Sequence, residues 1–402
     1  MGRLTSRFAA CSLIVAGLTG FRTAPDALAG SWRAVLDLAG GQLPFHLDIR
    51  DAAGRLTGSV CNGPSCTDIT AITRQGDSIM VTMADYDATV ALHLRHDSLV
   101  GTYRNVGNRG PRAIPVRASH GRWPAESANP ALLGSWDATF ITDQRTSPRV
   151  FEFRTGSTGL EASFRANSGD YGLFWGRASA DSFRVAHFDG AFVYLLVGKL
   201  TGDTLRGVFH AGIRTQTPFV AVRSSGKPHL VPPTALTRAD TTAPFQFAFP
   251  DLDGRIVANT DPRFRGKVVM IDIFGSWCPT CHDAAPALID LHRRYGGKGL
   301  EVVGFAYEVS PDSSVANPLI RRFRDKFQIP YLLLRGGIND VEATAATLPQ
   351  LTGFTAYPTT VFLGRDGRVK AVYAGFRGPA TGEHYRKQLA DYERIVADLL
   401  AR

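Results

Sequence analysis

The stretch FGSWCPTCHDAAP, residues 274–286, decides how the second half of this 402-residue chain is read. Within it, Cys278-Pro279-Thr280-Cys281-His282 has two incompatible meanings. C-x-x-C-H is the spacing that attaches a c-type haem through two thioethers, with the histidine as axial ligand. C-x-x-C after a tryptophan is the spacing of a redox-active dithiol. The flanks begin to separate the two. KVVMIDIF, residues 267–274, is a continuous apolar run of strand length, and PTCHDAAPALIDLHRRY, residues 279–295, has the pattern of a helix. Cys278 therefore follows a strand and a short turn and opens a helix, whose free N–H groups stabilise a thiolate. Pro279 suits the first helical turn, where its missing N–H costs nothing. Cys281 lies one turn in, close enough to close a disulfide.

Working outward, LEVVGFAYE (300–308) predicts a second buried strand and NPLIRRFRDKF (317–327) a second helix. YLLL (331–334), TTVFLG (359–364) and RVKAVYAG (368–375) predict further strands, and HYRKQLADYERIVADLL (384–400) a closing amphipathic helix. Strands alternating with helices over about 160 residues define an α/β domain at residues 243–402. Asp272 interrupts the apolar run VVMI-IF, where burying a lone carboxylate is costly.

Five landmarks occur in order here: Phe249-Pro250-Asp251-Leu252-Asp253-Gly254, Gly266-Lys267-Val268-Val269, Trp277-Cys278-Pro279-Thr280-Cys281, Pro286, and Tyr357-Pro358-Thr359-Thr360. On them this part resembles the thioredoxin fold, and in particular the TlpA/ResA-like thiol–disulfide oxidoreductases of bacterial envelopes. The resemblance implies that Cys278 and Cys281 form the catalytic redox disulfide. It implies a cis Pro358 beside the dithiol and a substrate-binding surface at Trp277, Tyr357 and Pro358, with Tyr357 pairing to the substrate backbone. Asp272, six residues before Cys278, matches the buried acid thought to accept the resolving thiol's proton. The chain departs from the pattern in its Pro-Thr dipeptide and in carrying Ala284 where many cytochrome-maturation relatives have a carboxylate. Asp283, one position off, is expected to face elsewhere on the helix.

The haem alternative then loses. A c-type centre needs a distal ligand, and the one methionine near the motif, Met270, lies inside the preceding strand. His282 is expected to be an exposed helix residue, and no cofactor or metal is expected.

The first half repeats itself. Gly30-Ser31-Trp32 recurs as Gly134-Ser135-Trp136, and Asp77-Ser78-Ile79 as Asp181-Ser182-Phe183, both 104 residues on. Short alternating runs separated by Gly/Asp/Asn turns predict tandem all-β repeats, barrel or sandwich, at 30–125 and 130–223. A Pro-rich linker is expected at 224–242. The first copy carries Cys61 and Cys66 in a turn where the second has Arg165 and Asp170. A structural disulfide is the plainer expectation for this pair, and a redox relay to Cys278/Cys281 the sharper one.

Arg3 and Arg7 precede the apolar run FAACSLIVAGL, residues 8–18, and Ala27-Leu28-Ala29 offers a cleavage site. Residues 1–29 are thus expected to be a signal peptide and the chain periplasmic or secreted, which permits disulfides. Membrane contact is expected only if that segment stays uncleaved. The net charge of +9 resides mostly on scattered arginines, with no basic run, so nucleic acid is not an expected partner. Cysteine-containing envelope proteins and an upstream membrane thiol reductase or oxidase are. The alternative to an enzyme is a ligand- or partner-binding β-repeat protein with an accessory thioredoxin-like domain.

Overall fold

The structure is a computed structural model that describes residues 28–107, 110–124 and 129–402. Most of the expected signal segment, residues 1–27, lies outside the described residues.

Two β-modules precede the α/β domain. The second is a closed barrel of eight antiparallel strands, from Gly134–Ile141 to Thr215–Arg223. The first is a curled nine-stranded sheet, and one interruption accounts for the difference. The barrel's fourth strand, Gly169–Ser179, runs unbroken. Its counterpart 104 residues earlier is split into Ser65–Asp68 and Ala71–Gln75, which become the two ends of the sheet. Ile69 and Thr70 span the gap by donating their N–H groups to Gly58 and Thr82 carbonyls.

The repeat extends to single hydrogen bonds. Trp32 Nε1 donates to the Leu28 carbonyl at 3.0 Å, and Trp136 Nε1 to the Leu132 carbonyl at 2.8 Å. Both tryptophans are core plugs, and Leu28 is itself buried in the first core. The boundary expected at Ala29/Gly30 therefore cuts through a packing that the second module keeps intact. The modules also share a core. Phe188, Val193 and Leu195 of the second pack with the first module's cluster, and Asn62 exchanges two hydrogen bonds with the Phe188 backbone.

The segment after the barrel is not wholly extended: Pro233–Leu236 is a short helix, and Arg238–Ala239 pairs with Leu351–Thr352. Beyond it lies a five-stranded mixed sheet. Val268–Phe274 is central, parallel to Leu300–Glu308 and antiparallel to Thr359–Leu363. The edges are Leu332–Ile338 and Val369–Ala374. Every residue of Val268–Phe274 is buried, Asp272 included, because helices and loops cover both faces of the sheet. Helix Pro279–Tyr295 springs from the end of this strand, and Ser313–Phe327 and Glu383–Leu400 complete the packing. No helix among the described residues is long and apolar enough to cross a membrane.

Candidate active site

Cys278 is the N-cap of helix Pro279–Tyr295, and its carbonyl accepts the N–H groups of Cys281 and His282. Cys278 is 4% exposed and Cys281 1%. Both are free thiols. The Cys281 thiol is pushed well above its ordinary range, first by burial, then by sharing its proton with the Cys278 sulfur and by the nearby Asp272 charge. Cys278 is thus the sulfur at the helix start and Cys281 the one buried behind it.

The loop carrying Cys278 is pinned at several points. Trp277 Nε1 donates to the Tyr307 carbonyl at 2.8 Å. Cys278 Sγ donates to the Tyr357 carbonyl at 3.7 Å, and Tyr357–Pro358 is a cis peptide. The Tyr357 ring meets Trp277 edge-on at 5.5 Å. Four residues expected from the sequence, Cys278, Trp277, Tyr357 and Pro358, therefore form one surface.

Asp272 lies behind the dithiol, 4% exposed, and its Oδ1 has no hydrogen-bond partner among the described residues. Burial pushes its carboxyl up to about 7. A second buried acid was missed in the sequence. Glu308, fully buried at the end of Leu300–Glu308, accepts the Ser276 N–H at 2.9 Å and its hydroxyl at 2.8 Å. Burial raises it to about 7 as well, against those two hydrogen bonds. An acid ending the apolar run LEVVGFAYE was a signal of the same kind as Asp272.

His282 is not exposed. Its ring is 8% accessible and packs against Phe323, Phe327 and Tyr86, the last from the first module. Nε2 donates to the Ser276 carbonyl at 2.7 Å and Nδ1 accepts from Lys326 at 3.2 Å. Burial and the Lys326 charge pull it down to about 4, so it stays neutral. The expectation of a solvated face failed because a distant part of the chain covers it. Asp283, expected to face elsewhere, turns toward the second module and meets Asp170.

Cys61 and Cys66 face each other across the Arg55–Asn62/Ser65–Asp68 hairpin and are disulfide-bonded. Cys66 lines a cavity of about 990 Å3 together with Pro279, Thr280 and His282. The Cys61–Cys66 disulfide thus reaches the cavity that the first turn of the dithiol helix lines, while Cys278 and Cys281 stay unbonded to it.

A dithiol at a helix start, an acid behind it and a cis proline beside it define a thioredoxin-type oxidoreductase domain. Residues 238–389 match the Redoxin family model. The same part is 27% identical over 150 residues to the thiol–disulfide oxidoreductase ResA of Bacillus thuringiensis subsp. konkukian, covering 37% of this chain and 74% of that protein. ResA of Geobacillus thermodenitrificans is 26% identical over 137 residues, or 34% and 68% of the two chains. A solved thiol:disulfide interchange protein of Chlorobium tepidum is 22% identical, covering 40% of this chain and 99% of that one, with a TM-score of 0.31. The C-terminal part of the chain is a redoxin-type domain with thiol–disulfide oxidoreductase activity.

Proposed function

We propose that the chain is an exported oxidoreductase that reduces disulfides on cysteine-containing envelope proteins through Cys278 and Cys281. The observation that carries this is the ordering of three groups: Cys278 at the helix start, Cys281 buried behind it, and Asp272 behind both. In the reducing direction the Cys278 thiolate attacks one sulfur of the substrate disulfide, forming a mixed disulfide and expelling the other sulfur as thiolate. Cys281 passes its proton to Asp272 and attacks Cys278. The Cys278–Cys281 disulfide forms, two electrons have left the dithiol, and the reduced substrate departs. An acid near 7 supports this order, because at neutral pH it can take the proton that the resolving thiol must lose. An upstream membrane thiol reductase then restores the dithiol. Export is supported by the Arg3/Arg7 and FAACSLIVAGL pattern and by the Cys61–Cys66 disulfide.

The test is the reduction potential of Cys278/Cys281 in a thiol buffer. Relatives in mechanism span roughly −270 mV for reductants to −120 mV for oxidants. A value toward the first supports a reductant, and a value toward the second reverses the direction proposed.

A further inference from the structure

Both β-modules stand on the face of the α/β domain that carries the dithiol. The first contributes the turn Ala84–Tyr86: Asp85 pairs with Lys326 at 2.6 Å, the Ala84 carbonyl accepts from Arg322, and Tyr86 lies on His282. The second contributes its Asp170 hairpin. The Asp170 carbonyl accepts the Thr280 hydroxyl at 3.4 Å and its carboxylate accepts the Gly378 N–H. Between these contacts a cleft remains at Trp277, roofed by Tyr86, Phe192 and Tyr194. Burial pushes the Tyr86 and Tyr194 hydroxyls well above their ordinary range, with the nearby Asp189 charge adding to the rise of each. Trp277, the residue before Cys278, lines the cleft beneath this roof.

The cleft encloses about 190 Å3. A folded protein partner needs on the order of 800 Å2 of matching surface on each side, which this opening does not offer. The cleft also has a charge. Arg112 and Arg214 line it; Arg112 also donates to Asn105 and to the Ala191 carbonyl, and none of the described lining residues is acidic, the nearby Asp189 standing behind the tyrosine roof.

We propose that the β-modules select the substrate: the cleft admits a disulfide on an extended or low-mass chain that carries carboxylates beside the sulfur. This rests on the oxidoreductase reading above and adds no step to it. The bonds formed and broken, and the two electrons from the dithiol, are those already described. The modules restrict which disulfide reaches Cys278, with the guanidinium groups attracting carboxylates and the aromatic roof excluding bulk.

The full chain, pre-reduced, is mixed in single turnover with four disulfides. These are a short peptide with Glu on either side of its cystine, the same peptide with Lys, oxidised glutathione, and a folded protein with an accessible surface disulfide. The Glu peptide should react about tenfold faster than the Lys peptide and the folded protein. Glutathione matching the Glu peptide assigns a low-mass source, and glutathione lagging behind it assigns an extended polypeptide. Arg214→Gln should narrow the Glu/Lys ratio severalfold, and Tyr86→Ala or Phe192→Ala should raise the folded-protein rate alone. Equal rates for the Glu peptide and either the Lys peptide or the folded protein overturn the proposal. Labelling of reduced Cys278 separates this from failure of the enzyme itself. N-ethylmaleimide should react, and a polymer-linked maleimide should be strongly slowed. Equal labelling by both overturns the cleft, whereas normal labelling with no reduction of any disulfide overturns the oxidoreductase reading.

Discussion

Asp283, on the dithiol helix, and Asp170, on the barrel of the second module, bring their carboxyl groups together at the backbone of Gly378. A Cβ placed there would press on Asp283 Oδ2 and lie 3.0 Å from Asp170 Oδ2. Burial first, and then the Asp170 and Asp189 charges, push Asp283 up to about 8, against the pull of His187 and Lys326. Asp170 is raised too, chiefly by burial and against the hydrogen bonds it accepts from Gly378 and Gly172.

The folded chain therefore holds the Asp283 proton where the unfolded chain has released it. Stability from this group is complete below the unfolded value near 3.8 and is lost as pH rises through about 8. Asp283→Asn should melt higher than the parent at pH 9, by about 2–4 °C for each kcal/mol recovered, and equally at pH 4. Thermal melts across that range check it. A pH-independent difference would remove the pair from the linkage.

Asp272 follows the same sign with a lower midpoint. Its raised value, about 7, means that stability falls as pH climbs from near 3.8 through 7. Asp272→Asn should gain up to a few kcal/mol at pH 8 and almost nothing at pH 4. Its first attack on substrate should be nearly normal, because the helix start activates Cys278. Release of the mixed disulfide should slow, because Cys281 has lost its proton acceptor. Stopped-flow traces from pH 5 to 9 resolve the two steps, and identical release rates in both proteins would count against the role of Asp272.

Cys278→Ser should abolish reduction of a peptide disulfide, while Cys281→Ser should still attack and accumulate mixed disulfides. Non-reducing gels followed by mass spectrometry identify the trapped cysteine. Trapping at Cys281 in the Cys278→Ser variant would invert the assignment.

Replacing both Cys61 and Cys66 with Ser should cost about 2 kcal/mol, the loop-closure entropy of so short a span. Turnover at the other pair should be unchanged. Lost turnover in a folded double variant would instead establish a relay between the pairs.

The α/β domain was legible because its code is local. A continuous apolar run such as Val268–Phe274 can only be a strand covered on both faces, and Cys278-Pro279 can open a helix whatever surrounds it. The repeat was legible because Trp32 and Trp136 do the same work 104 residues apart. What stayed hidden depends on contacts between distant segments. Nothing within residues 279–295 says that Tyr86 will cover His282 or that Asp170 will meet Asp283. The break at Ile69-Thr70 that keeps the first module open likewise depends on pairing with Gly58 and Thr82, which the residues around it do not announce.

Because the roof and the dithiol belong to one polypeptide, joined through residues 224–242, dilution does not separate them. The short tether holds the roof at an effective concentration on the order of millimolar for as long as the chain is whole. Any protein that approaches Cys278 from outside therefore competes with a resident occupant of the same face. A partner present at micromolar levels begins that contest at a disadvantage of about a thousandfold, whatever its redox potential.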